Sequence, residues 1–223
     1  MNYDYIKDYR GKELKQYVIA YLLMLMCSIG LNASFSGVNS FSEVLNILSL
    51  DLLAGAICIL VLIFNELWSD KAKIAMVYGT FPSDTIFTDI KNGEKYLTGF
   101  DFHKAQELYV DYAELSSTEQ TVKWNLLLRK SKESAQGNVI EAQRLQLMTR
   151  DICISTVSLI ILSLASLAVL TFIRNDFCSS ISIFGFPMIY LSVMFFITKK
   201  AALNRAKRLV ALVIKNDVQQ QAQ

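Results

Sequence analysis

Asp51 is the residue in this sequence whose surroundings most suggest chemistry. It is the only charged side chain in the apolar run "LSLDLLAGAICILVLIF", residues 48–64. At the centre of a membrane helix a carboxylate adds ~2.5–3.5 kcal/mol to the cost of insertion, and such groups often serve ion or proton movement. Counting ~20 residues outward from Asn65, at ~1.5 Å each, leaves Asp51 about 7.5 Å inside the outer edge of the hydrocarbon.

The candidate partner of Asp51 is Arg174, the only cation expected on the same side of the bilayer. One interpretation is that this pair, or Asp51 with nearby Asn and Ser side chains, only fixes helix packing. The other is that the pair takes part in gating or in the sensing of protons or ions.

Long apolar segments must position these two residues. Residues 16–42, 152–173 and 177–198 contain no charged side chain. Residues 44–65 contain one, Asp51. A run of 18 or more apolar residues can cross ~30 Å of hydrocarbon as a helix. With 53% apolar residues and a mean hydropathy of +0.34, the sequence predicts an all-α polytopic membrane protein with four transmembrane helices.

The basic residues predict the orientation. Of the 22 Lys and Arg, four precede the first span, eleven lie in residues 66–151 and six follow Thr198, which leaves only Arg174 on the other side. Basic residues near membrane ends stay in the cytoplasm. We therefore expect a multi-pass inner-membrane protein with both termini and the middle segment in the cytoplasm.

The predicted organisation has five parts. Residues 1–16 form a cytoplasmic N-terminal segment, 17–65 the first two spans, 66–151 a helical cytoplasmic domain, 152–198 the last two spans, and 199–223 a basic cytoplasmic C-terminal helix and tail.

Within the middle domain, Asp101 is expected to cap an amphipathic helix over residues 102–115. A capping box, Ser116 with Glu119 or Ser117 with Gln120, begins the next helix, with a possible break at Gly137-Asn138. The turn-rich stretch 79–99 is expected to be a loop with a short hairpin.

Two surface features point to the membrane or to a partner. Trp68 follows the second span and is predicted to anchor it at headgroup depth. The C-terminal helix carries cationic side chains outside an apolar arc, and these are expected to contact anionic lipid or a partner: Lys199, Lys200, Arg205, Lys207 and Arg208. The arc itself is predicted either to lie on the leaflet or to pack on the middle domain.

Several classes of site have no support in the sequence. The four cysteines occur singly, the only histidine is His103, and neither metal-ligand spacing nor a nucleophile–base motif is found. We expect no cofactor, no metal and no enzymatic activity. The 13 acidic residues interleaved with the bases of residues 66–151 also argue against a nucleic-acid partner.

Three functions are compatible with this layout. The first is a membrane-anchored sensor or scaffold that forms homo-oligomers through its spans and docks a cytosolic protein. The second is a pore-forming or membrane-depolarising effector in which Asp51 and Arg174 line or latch the path. The third, an intramembrane enzyme, is the least favoured because no paired catalytic groups share one depth.

The whole layout resembles a group of small bacterial membrane subunits. "YVIAYLLMLMCSIGLNASF" and "IFNELWSDKAK" lead to one helical cytoplasmic insert, and a second pair of spans ends in a basic tail. This arrangement is similar to that of four-span membrane subunits of anti-phage defence systems, such as the membrane component of Kiwa. The resemblance implies an inner-membrane sensor that recruits a cytosolic effector, and it carries over no individual residue.

Overall fold

In a computed structural model, the residues described are 16–23, 59–61, 63–93, 101–134, 137–174 and 177–221. Every regular element among these residues is helical, which confirms the predicted all-α class for this part of the chain. Short helical stretches cover residues 16–23 and 63–67. The labelled helices are α1 (Asp70–Tyr78), α2 (Ile86–Asn92), α3 (Phe102–Tyr109), the 3-10 helix η1 (Val110–Glu114), α4 (Ser117–Glu133), α5 (Gly137–Arg174) and α6 (Phe177–Gln220).

Two of the described helices are long and apolar enough to cross a membrane. They are the 33-residue stretch Gly137–Val169 of α5 and the 37-residue stretch Phe184–Gln220 of α6. These stretches include most of the predicted third span, residues 152–173, and most of the predicted fourth, residues 177–198. Most of residues 17–65, which hold the first two predicted spans, lies outside the described residues, so four spans stay a prediction.

The chain divides into two compact units. One, here called the apolar unit, consists of Met1–Asp70 and Asp151–Thr198. The other, here called the polar unit, consists of Lys71–Arg150 and Lys199–Gln223. Helices α5 and α6 contribute residues to both.

The core of the apolar unit joins four stretches of chain. Its buried members are Val18, Tyr21, Leu22, Val61, Leu159 and Leu191. Around this core many large apolar side chains face outward, and Phe172 is 87% exposed. In water such a surface would be costly, whereas a surface of this kind suits contact with lipid.

The core of the polar unit brings the C-terminal half of α6 against α2, α3, α4 and the start of α5. Its buried members are Ile86, Phe87, Ile90, Ala105, Tyr109, Trp124, Val139, Leu209, Val210, Val213, Ile214 and Val218. Phe87 stacks edge-on against Tyr112, with ring centroids 5.3 Å apart. Two alternatives were predicted for the apolar arc of the C-terminal helix, the leaflet or the middle domain. In the structure the arc packs on the middle domain, because its residues are part of this core.

Local capping signals set two helix starts as predicted. Asp101 Oδ1 accepts a hydrogen bond from the backbone N–H of Lys104 at 3.2 Å, at the start of α3. At the start of α4, Ser116 and Glu119 form a reciprocal capping box, so the first of the two predicted boxes is the one used.

The prediction of a loop with a short hairpin over residues 79–99 is wrong for 86–92, which form α2. Ile86, Phe87 and Ile90 are fully buried in the polar-unit core, and this burial stabilises a seven-residue helix that its own sequence would not. The turn-forming pair Asn92-Gly93 instead ends α2, where Gly93 takes the left-handed conformation with φ 73°.

Two further boundaries differ from the prediction. The helix expected over 102–115 ends as an α-helix at Tyr109 and continues as the 3-10 helix η1. The break expected at Gly137-Asn138 is shifted toward the N-terminus, because α4 ends at Glu133 and α5 already begins at Gly137.

Candidate functional site

A concentrated set of polar contacts among the described residues surrounds Asp217 on α6. Its side chain is 2% exposed, although it is a carboxylate. Lys130 Nζ donates to Asp217 Oδ1 at 2.6 Å, and Gln221 Nε2 donates to Oδ2 at 2.7 Å. The Tyr109 hydroxyl also donates to Oδ2. We call these four residues the Asp217 cluster.

Three helical elements position the Asp217 cluster. Tyr109 is the last residue of α3 and is held among Phe87 and Tyr112. Lys130 is near the end of α4, where its side chain is 53% exposed, so it reaches the carboxylate from the solvent side. Gln221 follows Asp217 by four residues and shares its helix face.

Electrostatics make Tyr109 a lasting hydrogen-bond donor. Burial of the hydroxyl, together with its hydrogen bond to the Asp217 carboxylate and the charge of that group, raises the pKa of Tyr109 well above its ordinary value of 10.0. The phenol therefore stays protonated throughout the physiological range and donates its hydrogen bond to Asp217 Oδ2. With donors on both carboxylate oxygens, the cluster is suited to joining helices rather than to proton transfer.

A different kind of polar contact joins helices in the apolar unit. The Tyr17 hydroxyl is 2.7 Å from Thr156 Oγ1, and the Tyr21 hydroxyl is 2.6 Å from Ser163 Oγ. Thr156 already donates to the backbone carbonyl of Ile152 at 2.8 Å, so Tyr17 is the donor in the first pair. Both pairs fix the helical stretch 16–23 to α5 through neutral groups, which are the polar contacts that a hydrocarbon environment tolerates best.

The predicted intramembrane pair is not tested by the structure. Asp51 lies outside the described residues. Arg174 is the last residue of α5, but its side chain lies outside the described part as well. The pairing of Asp51 with Arg174 therefore stays a prediction.

The structure places the other predicted site residues as follows. Lys199, Lys200 and Arg208 are exposed on the polar unit, whereas Arg205 and Lys207 are half-buried. Trp68 is half-buried at the bend that follows the helical stretch 63–67, where its backbone N–H donates to the Phe64 carbonyl at 3.3 Å.

The Asp217 cluster is absent from the sequence-based predictions. The apolar arc of α6 runs through Leu209, Val210, Val213 and Ile214, and the same spacing of three and four reaches Asp217 next. An acidic residue on the buried side of an amphipathic helix needs a hydrogen-bond donor, and this position of Asp217 was the signal in the sequence that a polar contact forms there. The sequence did not indicate that Tyr109 and Lys130 supply it.

Among the residues described, no group of three or more His, Cys, Asp or Glu side chains is placed to hold a metal ion.

Comparison of the chain with family models, with curated proteins and with solved structures found no match.

Proposed function

We propose that this chain is a non-enzymatic inner-membrane subunit that forms homo-oligomers and acts as a sensor or scaffold docking a cytosolic protein. In this proposal it has four spans, and both termini and the polar unit are in the cytoplasm. Its stimulus reaches the apolar unit and its partner binds the polar unit. The layout resemblance extends the proposal to anti-phage defence.

The contrast between the surfaces of the two units is the observation that carries the proposal. Among the described residues, the large apolar side chains that are exposed belong almost entirely to the apolar unit. The polar unit has its own closed core and an exposed face of charged residues, including Lys199, Lys200 and Arg208. A protein that is apolar outside in one unit and charged outside in the other is suited to a bilayer and the adjoining aqueous phase.

Helix continuity supports a sensing role. Residues 151–174 of α5 and 177–198 of α6 belong to the apolar unit, while 137–150 and 199–220 of the same helices belong to the polar unit. The Asp217 cluster ties the last part of α6 to α3 and α4. In this proposal a stimulus that moves α6 would break the Asp217 cluster, and the intact and broken forms of the cluster would be the two states whose populations the stimulus shifts.

Cysteine accessibility tests the membrane topology. In a background with the four native cysteines replaced, Ser134→Cys places a thiol on the exposed end of α4. We expect an impermeant maleimide to label it only after the inner membrane is permeabilised. As a matched control, Asn39→Cys, in the short connection (residues 36–42) expected outside the membrane between the first two spans, should be labelled in intact spheroplasts. Labelling of Ser134→Cys in intact spheroplasts would overturn the topology.

Copurification tests the docking role. We expect an untagged cytosolic protein to copurify with the detergent-extracted chain. Reversing two exposed charges, with Lys200→Glu and Arg208→Glu, should reduce its recovery at least five-fold. Lys71→Glu, an exposed reversal on α1, is the control that should leave recovery unchanged. Equal recovery with both variants would exclude the basic face of α6 as the docking surface.

The alternative is a pore-forming or depolarising effector, and one feature of the apolar unit favours it. The hydroxyl-bearing side chains Ser155, Thr156, Ser158 and Ser163 are buried along α5, and Ser155 Oγ has no hydrogen-bond partner within the described residues. A potential-sensitive dye discriminates the two functions. Overexpression should collapse the membrane potential if the chain conducts, and Asp51→Asn should then alter the effect. An unchanged potential supports the scaffold.

A further inference from the structure

The polar unit exposes two large apolar side chains side by side on α4. Val122 is 54% exposed and Leu126 is 56% exposed, one helical turn apart. Gln120, Trp124 and Ser131, which are the buried residues of α4, lie on the opposite side of the helix. The exposed pair therefore makes no contribution to the core described above.

Charged residues continue the line of this pair in both directions. Glu119, Val122, Leu126, Arg129 and Glu133 are spaced by three, four, three and four residues, and all five are exposed. We call these five residues the α4 seam. Alternating spacings of three and four place side chains on one narrow stripe, which is the pattern by which helices pack against each other in coiled coils.

The charges of the α4 seam are complementary to those of a second α4 seam that runs in the opposite direction. Val122 and Leu126 are equally far from position 124, and so are Glu119 and Arg129. In an antiparallel pair of α4 helices, Val122 therefore meets Leu126 of the second copy and Glu119 meets Arg129 of the second copy. In a parallel, in-register pair, Glu119 would oppose Glu119 and Arg129 would oppose Arg129, which is unfavourable.

The two charges are held in position within each copy. Glu119 Oε2 accepts hydrogen bonds from the Ser116 backbone N–H at 3.0 Å and from Ser116 Oγ at 2.7 Å. These hydrogen bonds lower the pKa of Glu119, so it is charged at neutral pH. Arg129 Nε donates to Glu133 at 2.8 Å, and a guanidinium has enough donors to serve a second carboxylate.

We propose that the α4 seam is a contact between two copies of this chain, packed antiparallel about position 124 with Glu119 of each copy paired to Arg129 of the other. A two-fold contact of this kind uses the same patch on both copies. Only two large apolar side chains per copy take part, so the contact is far smaller than the ~1,200 Å² of a stable soluble dimer. It rests on the proposed membrane function, because confinement of both copies to one bilayer supplies the effective concentration that so small a contact needs.

Charge reversal in the full-length protein, in its membrane, tests the pairing. Val122→Cys is placed in one tagged copy and Leu126→Cys in a second, differently tagged copy, both without native cysteines, and the mixed disulfide is measured after mild oxidation. We expect Glu119→Lys alone, or Arg129→Glu alone, in both copies to lower the yield at least five-fold. Combining both reversals should restore it to within two-fold. Positions 119 and 129 lie ~15 Å apart along one helix, so rescue cannot arise within a copy.

Ser116→Ala is the matched control for loss of the capping box. It removes the hydroxyl that caps α4 but keeps every seam charge and the Ser116 backbone N–H that also holds Glu119, so the cross-link yield should stay within two-fold. If Ser116→Ala lowers the yield as much as Glu119→Lys does, or if the double reversal does not rescue, the pairing is wrong. Cross-links to a different protein instead of the second copy would likewise overturn it in favour of a heterologous partner.

Sedimentation of the same samples separates this inference from the proposed function. A chain that sediments with membranes but gives no mixed disulfide refutes the α4 contact and leaves the membrane function standing. A chain that stays in the soluble fraction refutes the membrane function.

Discussion

Helices are joined by different means in the two units. In the apolar unit, neutral hydroxyl pairs such as Tyr21 with Ser163 cross between helices, and large side chains such as Phe172 face outward. In the polar unit, apolar residues are drawn inward and a buried carboxylate, Asp217, is held by a lysine and a tyrosine.

In the proposed membrane arrangement, the difference follows from the surroundings of each unit, which are lipid for the apolar unit and water for the polar unit. In water, apolar burial supplies most of the driving force, and it is large enough to tolerate one buried ion pair. Between lipid-facing helices that force is nearly absent, so close packing and neutral hydrogen bonds take its place. Substitutions of the same kind should therefore have different effects in the two units.

The largest contrast is expected for isoleucine truncation. Ile214→Ala removes a fully buried side chain from the polar-unit core and should destabilise that unit by about 2–5 kcal/mol. Ile189→Ala in the apolar unit truncates a side chain that is 66% exposed, and a detergent or lipid chain can fill the space, so the loss should be below ~0.5 kcal/mol. Denaturant titration in detergent measures both losses. Trp124 fluorescence in a Trp68→Phe background follows the unfolding of the Ile214→Ala protein. For Ile189→Ala, unfolding is followed by disulfide cross-linking between cysteines introduced at positions 21 and 163. Similar losses in both units would contradict the comparison.

Removal of the buried charge should have the next largest effect. Asp217→Ala leaves the buried Tyr109 hydroxyl without its acceptor and should cost the polar unit about 2–4 kcal/mol, less than for a fully buried pair because Lys130 is half-exposed and can rehydrate. The same Trp124 titration measures this. Glu114→Ala, which breaks the exposed contact with Lys91, is the matched control and should change stability by no more than a few tenths of a kcal/mol. An Asp217→Ala protein as stable as the control would show that the cluster does not hold α6.

Alkaline pH should weaken the polar unit through Tyr109. Its pKa is raised in the folded state, so its contribution is fully present below pH ~10 and is lost as the pH rises above that value, at no more than ~1.4 kcal/mol per pH unit. The Trp124 titration repeated between pH 8 and 11 gives the slope. Tyr109→Phe should lower stability at pH 8 but remove this part of the slope. A slope unchanged by Tyr109→Phe would assign it to other groups, such as the lysines.

The smallest effect is expected for a hydroxyl pair of the apolar unit. Tyr21→Phe should cost about 0.6 kcal/mol, and the coupling energy with Ser163→Ala should not exceed ~1.7 kcal/mol. A double-mutant cycle in detergent or bicelles measures it. A coupling as large as the loss for Asp217→Ala would mean that the two units do not differ in how polar contacts stabilise them.

Features that depend on neighbours along the chain could be predicted. The Asp101 cap and the Ser116–Glu119 capping box are encoded within four residues, so their patterns predicted both helix starts. The apolar arc of α6 was also visible, but its two possible partners, a leaflet or the middle domain, could be separated only by the packing itself.

Features that depend on distant residues could not be predicted. Helix α2 looked like a turn because its stabilising neighbours, Tyr109 and the end of α6, lie far along the chain. The Asp217 cluster joins positions 87 and 108 residues apart, and no local pattern links them. The Asp51–Arg174 pair and the first two spans stay predictions, because they lie mainly outside the described residues.

The order in which the polar-unit core is synthesised has a consequence for biogenesis. Ile86, Phe87 and Ile90 leave the ribosome early, but residues 209–218, which cover them, emerge only after the apolar parts of α5 and α6. Until then these apolar side chains are exposed to solvent and prone to aggregation. In the proposed membrane arrangement, quality-control proteases would therefore meet an open polar unit on any chain whose later helices failed to insert, and a closed one on chains that had matured.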